Sequence, residues 1–158
     1  MRYCPYFCEE NVWHLCADDA VSAPLGQRHA LLISNAARAV KMRHQRAAGG
    51  GVVVWDYHVV LAAPGAVHDL DCTLGIPIAA ARYVADCFVD DDVQFRMVPA
   101  ATYRALFASD RSHMDASQHP FPPWPPIGAG MTLPRLLDFT DAFGGDVVDK
   151  RELLRRIA

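Results

Sequence analysis

An α+β domain, a mainly antiparallel sheet flanked by helices, is what this chain predicts, and three observations carry the prediction. Apolar residues at helical spacing follow an acidic start near the N-terminus (Glu9, Glu10, then Val12, Leu15 and Cys16). A long β-branched and aromatic run, Val52 to Leu61, is followed by Pro64-Gly65, a turn signal, and then by more apolar sequence. The chain ends in further helical pattern, with basic residues in its last turn. Helices at both ends of a mainly antiparallel, strand-rich middle give the α+β class.

Taken in order, a helix is expected from about Cys8, ending by Ser22 to Gly26, where Pro24 and Gly26 break it. Ala30 to Ser34 reads as a short strand. Arg38 to Arg46 is a basic cluster, expected as a solvated loop or short helix, and runs into the flexible Gly49-Gly50-Gly51. Val52 to Leu61 reads as one strand and Ala66 to Asp71 as its return. Pro77 to Phe88 is expected to be helical, with Tyr83, Val84 and Cys87 on one face. Asp90-Asp91-Asp92 reads as a solvated loop, Val93 to Val98 as a strand and Ala100 to Phe107 as a helix. The Pro-rich stretch from Ser117 to Gly130 is an ordered cover, and Leu133 to Phe143 and Lys150 to Ile157 read as helices.

At 158 residues the chain is read as one catalytic domain, 1–158, with 146–158 as a C-terminal helical extension. A net charge of -3 offers no reason to expect nucleic acid or an anionic membrane surface as partner. Five cysteines without a framework spacing argue against a disulfide-built secreted domain. The first residues do not form a signal peptide and the longest apolar run is broken by Asp56 and His58, so a cytoplasmic monomer is expected.

The chemistry-bearing residues are a thiol, an imidazole and a carboxylate. Cys8 stands at the expected helix N-terminus, where free backbone N–H groups favour an anion and offer an oxyanion site, while Glu9 and Glu10 oppose it. Strand alternation puts Asp56 and His58 on the face opposite Trp55 and Tyr57. A four-residue loop over 62–65 would set His58 across from Asp69. A turn at Pro64-Gly65 alone would set it across from Asp71, with Asp69 diagonal. Either carboxylate would orient the imidazole as the third member of a triad does. No cofactor and no metal site is expected; Cys4, Cys8 and His14 match no strong zinc spacing.

Cys8-Glu9-Glu10-Asn11-Val12-Trp13, Val54-Trp55-Asp56-Tyr57-His58-Val59-Val60-Leu61, Asp69-Leu70-Asp71 and Phe107-Ala108-Ser109-Asp110-Arg111-Ser112-His113-Met114 together resemble the protein N-terminal glutamine amidohydrolases. The likeness runs from about Tyr3 to Gly144, and the tail beyond it reads as an addition. The resemblance implies deamidation of an N-terminal glutamine to glutamate with release of ammonia, as a step of an N-degron pathway. It implies the triad Cys8, His58 and Asp69, and a fold related to papain-like and transglutaminase-like enzymes. Protein or peptide substrates with a free N-terminal glutamine then need an acceptor for the ammonium, for which Glu9, Asp56 and Asp110 are the candidates. A thiol protease or transglutaminase-like acyl transferase would use the same triad, and a non-enzymatic module binding protein N-termini would use the same pocket.

Overall fold

In the computed structural model, which describes residues 1–158, a six-stranded antiparallel sheet stands between two helical layers. The elements are α1 (Cys8–Leu15), β1 (His29–Ser34), β2 (Val40–Arg43), β3 (Val52–Trp55), β4 (His58–Ala63), β5 (Ala66–His68), β6 (Ile78–Ala79), α2 (Ala80–Cys87), β7 (Gln94–Pro99), α3 (Ala100–Leu106), α4 (Leu133–Leu136), β8 (Val147–Val148) and α5 (Lys150–Ile157). The main sheet runs β6-β5-β4-β1-β7-β8, and β2 pairs with β3 in a separate ribbon. The α+β class therefore holds.

The central strands β1 and β4 are buried on both faces, so each alternate residue set feeds a different core. Ala30, Leu32, Val59 and Leu61 pack with Val12 and Leu15 of α1 and with Tyr103 of α3. Leu31, Ile33, Val60 and Ala62 pack with Tyr83 and Val84 of α2 and with Leu153 and Ile157 of α5. Residues 146–158 are thus built into the domain: β8 pairs with β7, and α5 closes one face. The Asp149 side chain caps α5 by accepting from the Glu152 amide at 2.8 Å.

Several expectations need correction. The run from Val52 to Leu61 is not one strand. It divides at Asp56-Tyr57 into β3 and β4, which belong to different sheets. Asp56 makes the break: its Oδ1 accepts from the Tyr57 amide at 3.0 Å and its carbonyl accepts from Ser34 Oγ at 2.7 Å, an arrangement a strand ladder would not permit. The basic cluster, expected as loop or short helix, holds strand β2. Val40 and Met42 are buried and alternate with exposed Lys41 and Arg43, a half-buried strand hidden in a charge run.

The third correction is Leu133 to Phe143, of which only Leu133–Leu136 is helical. Arg96 of β7, fully buried, takes the carbonyls that a longer helix would use. It donates to Leu136 at 2.7 Å, Asp141 at 3.1 Å, Phe143 at 2.7 Å and Gly145 at 2.9 Å, and also to Asp138. The Asp138 and Asp141 side chains cap the amides of Thr140 and Phe143, which further favours turns over helix. Gly145 is needed here, because a Cβ would lie 1.8 Å from the Met97 carbonyl oxygen. Arg28 does similar work after α1, donating to the carbonyls of Cys16, Asp18, Val21 and Ala23.

The β4–β5 hairpin turns at Pro64-Gly65 alone, with Gly65 supplying φ 67°. Leu61 pairs with His68 and Ala63 with Ala66; extended, this register sets His58 opposite Asp71 with Asp69 diagonal. The ladder stops at His68, so the return strand is shorter than Ala66 to Asp71.

Arg96→Met keeps the side-chain volume but removes the guanidinium from five carbonyls. The variant is expected to lose about 3 kcal/mol in urea unfolding and to become protease-sensitive between residues 137 and 145. A loss under about 1 kcal/mol with no new cleavage would contradict this role.

Candidate active site

Cys8 is the first residue of α1. The chain reaches it through Tyr6, whose left-handed backbone (φ 66°) is unusual for a non-glycine residue. Asn11 holds that approach in place: its Oδ1 accepts from the Cys4 amide and its Nδ2 donates to the Cys4 carbonyl, each at 2.8 Å. No side chain caps the helix, so its first-turn amides stay available. The Cys8 sulfur lies by the backbone amide of Val59, the residue after His58, and donates to Glu9 Oε2 at 3.5 Å. Burial, then Glu9 and Asp71, push the thiol well above its ordinary pKa.

His58 opens β4 and is buried. Its ring stacks on Trp55 with centroids 5.6 Å apart, and its Nε2 lies 3.0 Å from Asp69 Oδ1. Of the two carboxylates open to it by register, the histidine contacts the diagonal one. The reason is the turn that follows β5: the Asp71 amide donates to Asp69 Oδ1 at 2.9 Å, swinging that carboxylate back toward β4. Asp69 Oδ2 accepts from Gln45 Nε2 at 2.8 Å and from the Tyr83 hydroxyl at 3.0 Å. Burial opposes the charge on Asp69, but His58, Gln45 and the Asp71 amide outweigh it and hold the carboxyl below its usual pKa. Burial likewise opposes the imidazolium, and Asp69, followed by Asp71 and Glu9, outweighs it and holds His58 above its usual pKa.

Cys8 and His58 line one cavity of about 600 Å³. Its lining includes polar groups (Asp56, Asp71, His113, Asp115) and aromatic or apolar ones (Tyr6, Trp55, Met131, Leu133, Leu137). Among the proposed ammonium acceptors, Asp56 lies exposed on this wall. Glu9 is fully buried behind the thiol, and Asp110 lies outside the lining, its Oδ1 accepting from the Ser112 amide at 2.9 Å. Arg111 does not pair with Asp110. It makes a two-pronged contact with buried Glu10, 2.8 Å on each arm, and Trp124 Nε1 donates to the same carboxylate at 2.7 Å. Trp124 and Phe121 are therefore packing residues; Phe121 stands edge-on to Phe7. His58, Asp69 and Asp71 present ligand atoms within 4.8 Å of one another. Hydrogen bonds account for that cluster, since Asp71 Oδ1 accepts from the Tyr3 hydroxyl at 2.6 Å and both Asp69 oxygens have donors.

Sequence reasoning assigned no role to Gln45, Tyr83 or His113, although His113 lies within the fourth motif. Gln45 sits at the end of the basic cluster, and a lone glutamine gives no signal. Tyr83 was visible only as a buried position on a helix face.

A thiol at a helix start, an imidazole braced by a buried carboxylate and a shared cavity place the chain among α+β proteins that carry the groups of a thiol amidase. Comparison narrows this to one family. The family model described as N-terminal glutamine amidase matches residues 3–157, taking in the C-terminal helix that the motif likeness left outside. The human protein N-terminal glutamine amidohydrolase is 38% identical over 156 residues, covering 87% of this chain and 76% of its own. The Bos taurus protein of the same name is 38% identical over 152 residues (84% and 73% coverage), and that of Drosophila pseudoobscura pseudoobscura 39% over 157 (87% and 77%). The chain belongs to the N-terminal glutamine amidase family, a family of enzymes. No helix is long and apolar enough to cross a membrane.

The histidine–carboxylate pair predicts a titration. His58 has a folded pKa above its unfolded value, so the pair's stabilisation is full below about pH 6.5 and is lost as pH rises through the folded value. Asp69→Asn leaves burial less opposed. The His58 midpoint, followed by NMR of the ring protons, should fall relative to the parent; an unchanged midpoint would contradict the contact.

Proposed function

We propose that this protein hydrolyses the side-chain amide of an N-terminal glutamine, with Cys8 as nucleophile, His58 as general base and acid, and Asp69 as the group that orients His58. The observation that carries the reading is the capture of His58 Nε2 by Asp69 at 3.0 Å, which leaves Nδ1 as the ring nitrogen for the thiol. The Cys8 proton passes to His58, and sulfur bonds to the carboxamide carbon. First-turn amides of α1 are placed to receive the developing oxyanion. His58 then returns its proton to the departing nitrogen, ammonia leaves, and a thioester to Cys8 remains. Water, deprotonated by His58, attacks the thioester; glutamate is released and the thiol re-forms.

The substrate's ammonium requires an acceptor within the cavity. Asp56 is the candidate best placed for it, exposed on the wall beside His58. A preceding residue on the substrate would lose that contact and crowd the aromatic wall of Tyr6 and Trp55.

Cys8→Ala should abolish ammonia release from a glutamine-headed peptide. The intact enzyme should yield a glutamate-headed peptide, with neither chain cleavage nor cross-linking. Asp56→Asn should raise KM about tenfold with a smaller change in kcat, and an N-acetylated peptide should not turn over. Equal turnover of free and acetylated peptides would refute ammonium recognition, and ammonia release by Cys8→Ala would refute the nucleophile.

A further inference from the structure

Two buried carboxylates occupy the first turn of α1, and they are compensated differently. Glu10 has three donors, two of them from Arg111, which is charged at every relevant pH. Glu9, also 0% exposed, sits nearer the reacting sulfur, with Oε2 3.5 Å from Cys8 Sγ. Its Oε1 is buried without a well-formed hydrogen bond, and the ionisable neighbour of that oxygen is His113 Nε2 at 3.3 Å.

His113 lies on the cavity wall with its side chain 24% exposed, and the Tyr57 hydroxyl approaches the same Nε2 at 3.3 Å. A neutral imidazole with a lone pair on Nε2 would oppose lone pair to lone pair with Glu9 Oε1. A neutral imidazole with a proton there would leave the buried charge of Glu9 uncompensated. The doubly protonated ring avoids both faults. Its surroundings favour that form: Glu9 and Glu10 face it from α1, Asp56 and Tyr57 from the β3–β4 link, and Asp110 from its own loop. Asp115 and His119 also line the cavity, and Arg111 is already committed to Glu10.

We propose that His113 is a positioning residue of the reaction: its imidazolium is the counter-ion of buried Glu9, and this pairing lets Cys8 carry negative charge 3.5 Å from that carboxylate. The inference rests on Cys8 being the nucleophile. It adds a second, titratable imidazole, paired with Glu9 where His58 is paired with Asp69. With His113 neutral, a thiolate would form against an unscreened anion; with His113 charged, the Glu9–His113 pair presents no net charge. Glutamate and histidine then act together on one proton equilibrium, that of Cys8.

Iodoacetamide alkylation of Cys8, followed by mass spectrometry of its peptide from pH 6 to 9, tests this without substrate. His113→Gln should slow alkylation about tenfold at the acid end, and the difference should shrink as pH rises and the parent's His113 loses its proton. Glu9→Gln should speed alkylation, and the double variant should match Glu9→Gln. A His113→Gln rate equal to the parent's, a defect constant across pH, or a double variant as slow as His113→Gln would overturn the proposal. If His113→Gln does not fold, Glu9→Gln decides: unchanged alkylation refutes the pairing, faster alkylation supports it. Ammonia release by the parent, measured in parallel, separates the two readings. Its absence would refute the amidase assignment while the alkylation pattern still judges the pairing.

Discussion

Asp69 is buried and ionised, and much of the site is arranged around giving it donors. Four groups from separate parts of the chain converge on its two oxygens: His58 from β4, Gln45 from the segment after β2, Tyr83 from α2 and the amide of Asp71. An uncompensated carboxylate at that depth would carry a penalty of several kcal/mol, so the donors and the carboxylate fix one another. The consequence is chemical as well as structural. Asp69 holds Nε2 of His58 and so fixes how the imidazole is oriented. Tyr83 and Gln45 thus tie α2 and the β2–β3 ribbon to the orientation of one imidazole.

The cavity has a stiff frame on its other sides too, made by arginines that serve carbonyls instead of solvent. Arg96 gathers the 136–145 segment beneath the wall formed by Leu133 and Leu137. Arg111 fixes Glu10 and, through the Trp124 carbonyl at 2.9 Å, the Pro-rich cover. Guanidinium suits this work because its planar donors satisfy several acceptors while staying charged. Histidine, a titratable donor, stands instead at Asp69 and at Glu9.

The sequence made the site more legible than the frame. Cys8 at a helix start, His58 in an apolar strand and Asp69 or Asp71 across a turn are local patterns, and a single strand register limits the choices. What it could not show was the break at Asp56, because β-branched residues flank it on both sides and only the partner strands reveal two sheets. Strand β2 was masked by Lys41 and Arg43, which point to solvent while Val40 and Met42 point inward. The 137–145 segment follows helix-forming Leu133 and Leu136, yet a buried arginine about forty residues away along the chain claims carbonyls from Leu136 onward. Gln45 and Tyr83 matter only through contacts with Asp69 over 24 and 14 residues of separation, which no local pattern encodes.

The most direct measurement is the covalent state of Cys8 during turnover. Enzyme mixed with a glutamine-headed peptide, quenched in acid within milliseconds to seconds and digested, should yield a Cys8 peptide heavier by the substrate less one ammonia, about 17 Da short of the intact substrate mass. Steady ammonia release with no such adduct, or with the adduct on another cysteine, would contradict the account.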